Sequence, residues 1–304
     1  KDIEITNLDA EIYGSNIKNL EDFDGEDRYK YVKGDITDSN LMRKQISESD
    51  AVINFAAESF VDRSIADASP FFESNVRGVF NILEILKNSN KRFVQISTDE
   101  VFGSIQKKSA VEETRFNPSS PYAATKAAAE LLINSYGTTF NCDYVITRCT
   151  NNFGPRQFPE KLIPKVILLA NQDRSIPVYG NGKNIRDWIY VKDHCKAILN
   201  VLENGSSKTS YNISSDNEID NLTIIEKILT IMKKSKELIS FVEDRPGHDY
   251  RYSMKSDKIK KELQWKPETN FDAALRETVN WYLTNKSWWE NLSTEFLNST
   301  PWKN

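Results

Sequence analysis

Two short stretches carry residue types whose spacing could do chemistry. Tyr122 and Lys126 stand four apart in a segment opened by Pro121, which reads as the first turn of a helix, so the phenol and the ammonium share a face. A cation beside the phenol favours phenolate and would pull Tyr122 down from about 10 toward neutrality. Such a group can take a proton from a hydroxyl as hydride leaves the same carbon. The second stretch, Thr98-Asp99-Glu100, ends the apolar run RFVQIS. Two adjacent acids beside a Tyr/Lys redox pair can divide the work of an elimination, one removing a proton and the other delivering one. Taken singly, the first pattern is also a solvated helix face and the second a polar turn capping a strand.

The elements around these residues alternate between two periods. Ile3 to Leu8 alternates like a strand and ends in Asp9; Ala10 to Glu26 is polar and irregular. Tyr29 to Lys33 reads as a strand leading into Gly34-Asp35-Ile36, and Thr37 or Asp38 can cap a helix over Ser39 to Glu48. Ala51 to Phe55 is continuously apolar, the mark of a strand buried on both faces, and it runs into the small residues Ala56 and Ala57. Pro70 opens a long amphipathic helix to about Lys87, with Phe72, Val76, Val79, Phe80, Leu83 and Leu86 as its stripe. The strands Phe93 to Ser97 and Tyr144 to Thr147 flank the helix from Tyr122 to about Tyr136. This alternation predicts a doubly wound, Rossmann-like parallel sheet, whose ligands sit at strand carboxyl ends. Every polar cluster named above lies at such an end.

Beyond Pro155 the elements shorten: helices over Lys161 to Asn171, Asp193 to Glu203, Leu222 to Lys234, Ser256 to Leu263 and Phe271 to Asn285, with strands at Ile176 to Tyr179, Ser210 to Ile213 and Ile239 to Val242. We expect a division into residues 1–160, a dinucleotide-binding unit, and 161–304, a smaller α/β lobe interleaved with it and packed upon it. An aromatic tail carries Trp288, Trp289 and Trp302.

Composition excludes several classes. The 304 residues carry a net charge of -4, with 28% charged and 39% apolar residues, which leaves no electrostatic footprint for nucleic acid or an acidic membrane. Cys142, Cys149 and Cys195 form no CxxC pair and suggest reduced thiols in a cytoplasmic setting; His194 and His248 offer no metal spacing. No metal site and no membrane partner are expected. In dinucleotide-binding folds an acid ending the second strand follows a glycine-rich first turn. Asp9 has that character, yet no GxGxxG or GxxGxxG occurs and the chain begins at Lys1. The expectation is therefore that the first strand, phosphate loop and first helix of the fold are absent from this sequence.

The order of a strand ending in Ser97-Thr98, then Tyr122 and Lys126 on a helix, resembles the extended, nucleotide-sugar branch of the short-chain dehydrogenase/reductases. The segments LDAEIYGSN, GDITD, NFAAESFVDRS, ISTDEVFG, NPSSPYAATKAAAE, RCTNNFGPRQFPEKLIP, NIRDWIYVKDH and EDRPGHDYRY sharpen the resemblance to the nucleotide-sugar 4,6-dehydratases, closest to those acting on dTDP-glucose. The resemblance implies NAD as cofactor and a lyase reaction. C4 of a hexose is oxidised to a ketone, the C5 proton becomes acidic through its enolate, water is lost from C6, and hydride returns to C6. Carried onto matching positions, it implies Tyr122 as the base for oxidation, with Lys126 tuning it and holding the nicotinamide ribose. Thr98 would lie at the sugar O4, with Asp99 the acid at C6 and Glu100 the base at C5. Asp9 would meet the adenosine ribose, Asp35 and Ile36 the adenine, and Ala56 and Ala57 the cofactor. Ser59, Asn151, Asn152, Lys161, Arg186, Asn221, Arg245 and His248 would hold the nucleotide sugar, arginine suiting diphosphate by its planar fork. A homodimer through the helices beginning near Pro70 and Pro121 is also implied, as is a place early in deoxysugar biosynthesis, rhamnose being one end product.

The chain departs from the family pattern in having Asn54-Phe55 where a His is common, and Phe102 for the usual Tyr after Asp99-Glu100-Val101. Three alternatives stay open at this point. UDP-glucose could replace the thymidine sugar. A nucleotide-sugar 4-epimerase shares Tyr and Lys but has no use for two carboxyls after Thr98. A non-catalytic Rossmann-like binding protein would fit the missing glycine loop.

Overall fold

The computed structural model describes residues 3–292, 297 and 301–303. Strand β1 (Ile5–Asp9) pairs in parallel with β2 (Tyr29–Lys33) as a separate two-stranded sheet, the link between them carrying a 3-10 helix over Ile17–Phe23. Helix α1 (Ser39–Ser47) follows, its N-cap Asp38 accepting from the amides of Asn40 and Leu41. Then come β3 (Ala51–Asn54), α2 (Val61–Ala66), α3 (Ser69–Phe72) and α4 (Val79–Leu86). The central strand β4 (Arg92–Thr98) leads through a 3-10 turn to the long helix α5 (Pro121–Thr139) and β5 (Tyr144–Cys149).

The sheet order β3-β4-β5-β9 is all parallel, with β9 (Thr209–Ile213) arriving from the second half of the chain. Between β5 and β9 lie β6 (Asn151–Phe153), α6 (Leu162–Asn171), β7 (Ile176–Tyr179), β8 (Ile185–Tyr190) and α7 (Val191–Asn204). After β9 come β10 (Glu218–Asp220), α8 (Asn221–Met232), β11 (Ile239–Val242), α9 (Asp257–Leu263), α10 (Phe271–Thr284) and α11 (Lys286–Trp289). Strand β8 is the centre of a small sheet, parallel to β6 and antiparallel to β10, while β7 pairs in parallel with β11.

The period-2 alternation of the central strands puts helices on both faces. Phe93 of β4 and Ile146 of β5 pack under α1, α4 and α5, with Met42, Ile82, Leu86 and Ile133. Val94, Ile96 and Val145 face the other way, against Ile198 and Val201 of α7 and Ile259 of α9. A third core lies between α6, α8 and α10, around Ile163, Ile167, Ile225, Leu275 and Tyr282. This is the doubly wound α/β architecture expected from the sequence.

The helix read as one amphipathic run from Pro70 buries Val79, Leu83 and Leu86 as expected but differs in phase at its start. Residues Glu73–Gly78 between α3 and α4 form a π-helical turn, which inserts extra residues and rotates the face presented to the core. Phe71 and Ile82 are buried instead of Phe72 and Phe80, both of which lie exposed. Strands β6, β8 and β10 and helix α2 were not anticipated, being short and lacking clean alternation.

Candidate active site

The carboxyl end of β4 is the hub. Thr98 caps the 3-10 turn Asp99–Phe102, its Oγ1 accepting from the Glu100 amide at 3.2 Å, so Asp99 and Glu100 leave the strand in divergent directions. Asp99 is only 4% exposed, and its Oδ2 has no hydrogen-bond partner among the described residues. Burial, reinforced by the Glu100 charge, holds the Asp99 carboxyl well above the usual range. Burial also raises Glu100, but Arg245, Arg186 and Lys161 and a 3.2 Å hydrogen bond from the Tyr252 hydroxyl oppose it. Both carboxyls are thus raised, Asp99 further than Glu100, which separates the two. Such separation is how adjacent acids acquire acid and base roles.

Helix α5 delivers the redox pair. Pro121 occupies its first turn, the Ser120 side chain accepts from the Ala123 amide at 3.1 Å, and the Tyr122 amide donates to Ser64 Oγ of α2 at 3.2 Å. Tyr122 and Lys126 lie buried on one face, as the spacing predicts. Their electrostatics differ from the sequence-based expectation. Burial first, then the charges of Glu100 and Cys149, push the Tyr122 phenol well above its ordinary value, while a hydrogen bond with Thr98 opposes them. Lys126 does not reverse this. Its Nζ donates to the Ile96 carbonyl at 2.7 Å, and desolvation lowers it to about 8. The protein's own groups therefore raise the Tyr122 phenol, which stands next to Thr98.

Of the five residues only Glu100 lines the adjoining cavity, about 210 Å³ in volume. Asn151, Lys161, Arg186, Asn221, Arg245 and His248 line it too. Arg186 is 5% exposed and hydrogen-bonds to the backbone carbonyls of Ile185, Asp249 and Tyr250, its guanidinium 4.2 Å from the Tyr252 ring centroid. Its charge has no carboxylate hydrogen-bonded to it among the described residues. Arg245 pairs with Asp62 at 2.6 Å yet leaves a buried Nε unpartnered. The side-chain oxygens of Asn151 and Asn221 are likewise buried and unpartnered. Buried donors and acceptors are rarely left so unless a ligand meets them. His248 differs: desolvation and the two arginines lower it to about 4, and Nδ1 shares a 2.6 Å hydrogen bond with Asp244. It is a neutral ring at physiological pH. Asn152 lines neither cavity. The alternation of β6 turns it from Asn151, and its amide donates to the Thr150 carbonyl at 3.2 Å.

A second cavity, about 720 Å³, lies between β1 and β3 and is lined by Asp9, Asp35, Ile36, Ala56, Ala57 and Ser59. Asp9 accepts from the Glu11 amide at 2.6 Å, and Asp35 from the Thr37 amide at 2.8 Å, so both carboxylates are fixed at strand ends. The residues at the strand ends fit a dinucleotide: acids for ribose hydroxyls and alanines that let a flat ligand approach. Ser59 belongs to this cavity and not to the first. Phe60 and Lys161 line both, and Lys161 Nζ donates to the Ser59 carbonyl at 2.7 Å. The two sites thus share a wall.

Sequence reasoning missed Tyr252, Asp62, Tyr179 and Trp188, which complete the first cavity. Tyr252 stands in the EDRPGHDYRY segment, but nothing in its spacing announces that its hydroxyl reaches Glu100 across 152 positions. Phe102, one of the departures, packs under the Arg148 guanidinium at 5.1 Å. Asn54, the other, donates to Gln95 of β4 at 2.9 Å.

The family described as GDP-mannose 4,6 dehydratase matches residues 1–278. The dTDP-glucose 4,6-dehydratase of Streptomyces niveus is 43% identical over 292 residues, covering 96% of this chain and 87% of that protein. The low-salt glycan biosynthesis protein Agl12 of Haloferax volcanii is 45% identical over 93% of this chain and 91% of its own length. Among solved structures, a double mutant of DesIV, a dTDP-glucose 4,6-dehydratase from Streptomyces venezuelae with NAD and DAU bound, superposes with a TM-score of 0.94 at 40% identity. It covers 96% of this chain and 91% of that one. The chain belongs to the nucleotide-sugar 4,6-dehydratase family, with dTDP-glucose 4,6-dehydratases among its near relatives.

Proposed function

We propose that the protein is an NAD-dependent lyase that converts dTDP-glucose to dTDP-4-keto-6-deoxyglucose. One observation carries the reading: a buried Asp99 with an unpartnered Oδ2, beside a Glu100 that faces three cations, next to Tyr122. An epimerase needs the tyrosine but has no work for the two carboxyls. Asp9, Asp35, Ile36, Ala56, Ala57, Tyr122 and Lys126 would hold NAD, which would supply a hydride acceptor for C4 and a donor for C6.

The protein's own residues move the protons. Tyr122, acting as the phenolate, takes the O4 proton as C4 is oxidised, with Thr98 holding that oxygen. The resulting ketone acidifies C5–H, and Glu100 removes that proton and returns one to C5 when hydride reaches C6. Asp99 protonates the C6 hydroxyl, which leaves as water. Burial keeps bulk solvent from the intermediate and keeps Asp99 charged with its proton. Arg186, Arg245 and Lys161 hold the diphosphate, Asn151 and Asn221 bond the nucleotide sugar through their unpartnered oxygens, His248 lines the same cavity, Ser59 stands at the wall shared with the cofactor cavity, and Asn152 supports Asn151 from outside the surface. Residues 1–160 serve mainly the cofactor and 161–304 the nucleotide sugar.

The protein is further read as a cytoplasmic homodimer acting early in deoxysugar formation, with rhamnose as one end product. In support of the dimer, Phe72, Phe80 and Leu131, on the two helical segments beginning near Pro70 and Pro121, are 55%, 45% and 61% exposed, which is large apolar area for a monomer to leave in water. The test is to incubate the full-length protein with NAD and either dTDP-glucose or UDP-glucose and measure the 4-keto-6-deoxy product. Product from the thymidine sugar supports the reading; a C4 epimer, or product from the uridine sugar alone, overturns it.

A further inference from the structure

The face of α5 that carries Tyr122 and Lys126 continues one more turn to Glu130, a carboxylate with 0% exposure that the reaction does not use. Its oxygens accept from Arg148 Nη2 at 2.7 Å, from Arg148 Nε at 3.0 and 3.1 Å, and from Ser97 Oγ at 2.6 Å. Arg148 and Glu130 are 3% and 0% exposed, and among the described residues no other ion pair has both partners so deeply buried. Arg148 also donates to the Glu112 carbonyl at 3.0 Å and to Ser210 Oγ of β9 at 3.3 Å. Its guanidinium lies 5.1 Å from the Phe102 ring centroid and 5.2 Å from that of Phe116. One ion pair therefore ties α5, β4, β5, β9 and the 3-10 turn bearing Asp99 and Glu100.

A buried pair is poor evidence of stability, since apolar residues of similar volume hold a core as well without the desolvation cost. What it adds is register, because only one arrangement satisfies all its donors. Ser97 and Ile96 are neighbours on β4: the first binds Glu130, and the carbonyl of the second binds Lys126 one helical turn away. Sliding or rotating α5 would break both bonds and move the Tyr122 hydroxyl from Thr98. We propose that Glu130, clamped by Arg148 and Ser97, is a positioning residue for C4 oxidation, fixing α5 against β4 so that Lys126 and Tyr122 meet the sugar in reacting geometry.

The inference rests on the proposed dehydratase reading, and the experiment separates the two. The full-length protein and its Glu130→Gln, Glu130→Asp and Ser97→Ala variants are compared in single turnovers with dTDP-glucose carrying hydrogen or deuterium at C4. A misplacement of about 1 Å at reacting atoms can cost on the order of 100-fold, so the rate constant for Glu130→Gln should fall roughly 10- to 100-fold. The fraction of sites that react should stay unchanged, and the C4 deuterium effect should grow. Glu130→Asp should recover part of the rate, and Ser97→Ala, which keeps the ion pair, should lose less with the same isotope signature. Loss of reacting sites without change in rate constant or isotope effect would mark Glu130 as merely structural and overturn the proposal. Should Glu130→Gln not fold, wild-type kinetics in Ser97→Ala would overturn it equally. No product from the unaltered protein would instead defeat the dehydratase reading.

Discussion

Replacing Glu100 by Gln removes the carboxylate while keeping its shape, and the groups around it set the outcome. Glu100 faces Arg245, Arg186 and Lys161 and accepts from Tyr252. The variant thus loses a base without losing the cations proposed for the diphosphate. General base catalysis is worth about 10²- to 10⁴-fold, which at about 1.4 kcal/mol per tenfold raises the elimination barrier by roughly 3 to 5 kcal/mol. Oxidation should move the other way or stay level. The Glu100 charge is the foremost charge holding the Tyr122 phenol up, after burial itself, so its removal brings Tyr122 closer to ionisation. Rapid mixing with dTDP-glucose should therefore show reduced cofactor accumulating and persisting, while quenched samples show slow loss of water. Elimination at the natural rate would refute the base assignment. Failure of reduced cofactor to form would refute the claim that Glu100 acts only after oxidation.

Tyr122→Phe keeps the ring but removes the hydroxyl beside Thr98; absorbance should show no reduced cofactor on mixing with substrate, and normal reduction would contradict the role. Arg186→Ala and Arg245→Ala each remove a charged donor worth about 1.5–3 kcal/mol, so calorimetry with dTDP should show affinity falling about 10- to 100-fold; loss of turnover at unchanged affinity would count against the diphosphate assignment. His194 is 6% exposed and desolvation lowers it to about 4, so the folded state binds fewer protons there than the unfolded chain does. Its contribution is fully present above about pH 6.5, the unfolded value, and is lost as pH falls toward 4, a change of about 2 to 3 kcal/mol at pH 4.5. Denaturant titrations at pH 7 and 4.5 should show that loss shrink in His194→Gln.

What could be read from the chain was what local pattern dictates. The apolar runs of β3, β4 and β5, the capping residue Asp38 and the helix-opening Pro121 sit in or next to the elements they were expected to form. Tyr122 and Lys126 share a buried face because a helix leaves no other choice. What escaped depends on contacts between distant residues. The Lys126 ammonium donates to the Ile96 carbonyl, and the fold buries the Tyr122 phenol beside Glu100, which raises it. The π turn over Glu73–Gly78 shifts the buried stripe of a helix whose sequence looks evenly periodic. Strand β8 was hidden because Arg186 and Asp187 are both buried charges within it. Asp187 is satisfied by Ser215, Asp216 and Asn217 from a loop about thirty positions away, which no window of sequence reveals.

The central claim is that C4 is oxidised and that the same hydrogen returns to C6 after water has left. The most direct measurement is to supply dTDP-glucose deuterated at C4 and locate the label in the product by NMR. The account predicts a 4-keto-6-deoxy sugar with the deuterium on the C6 methyl group. Deuterium restored to C4 with inverted configuration, or a dehydrated product whose methyl group carries no label, would contradict it.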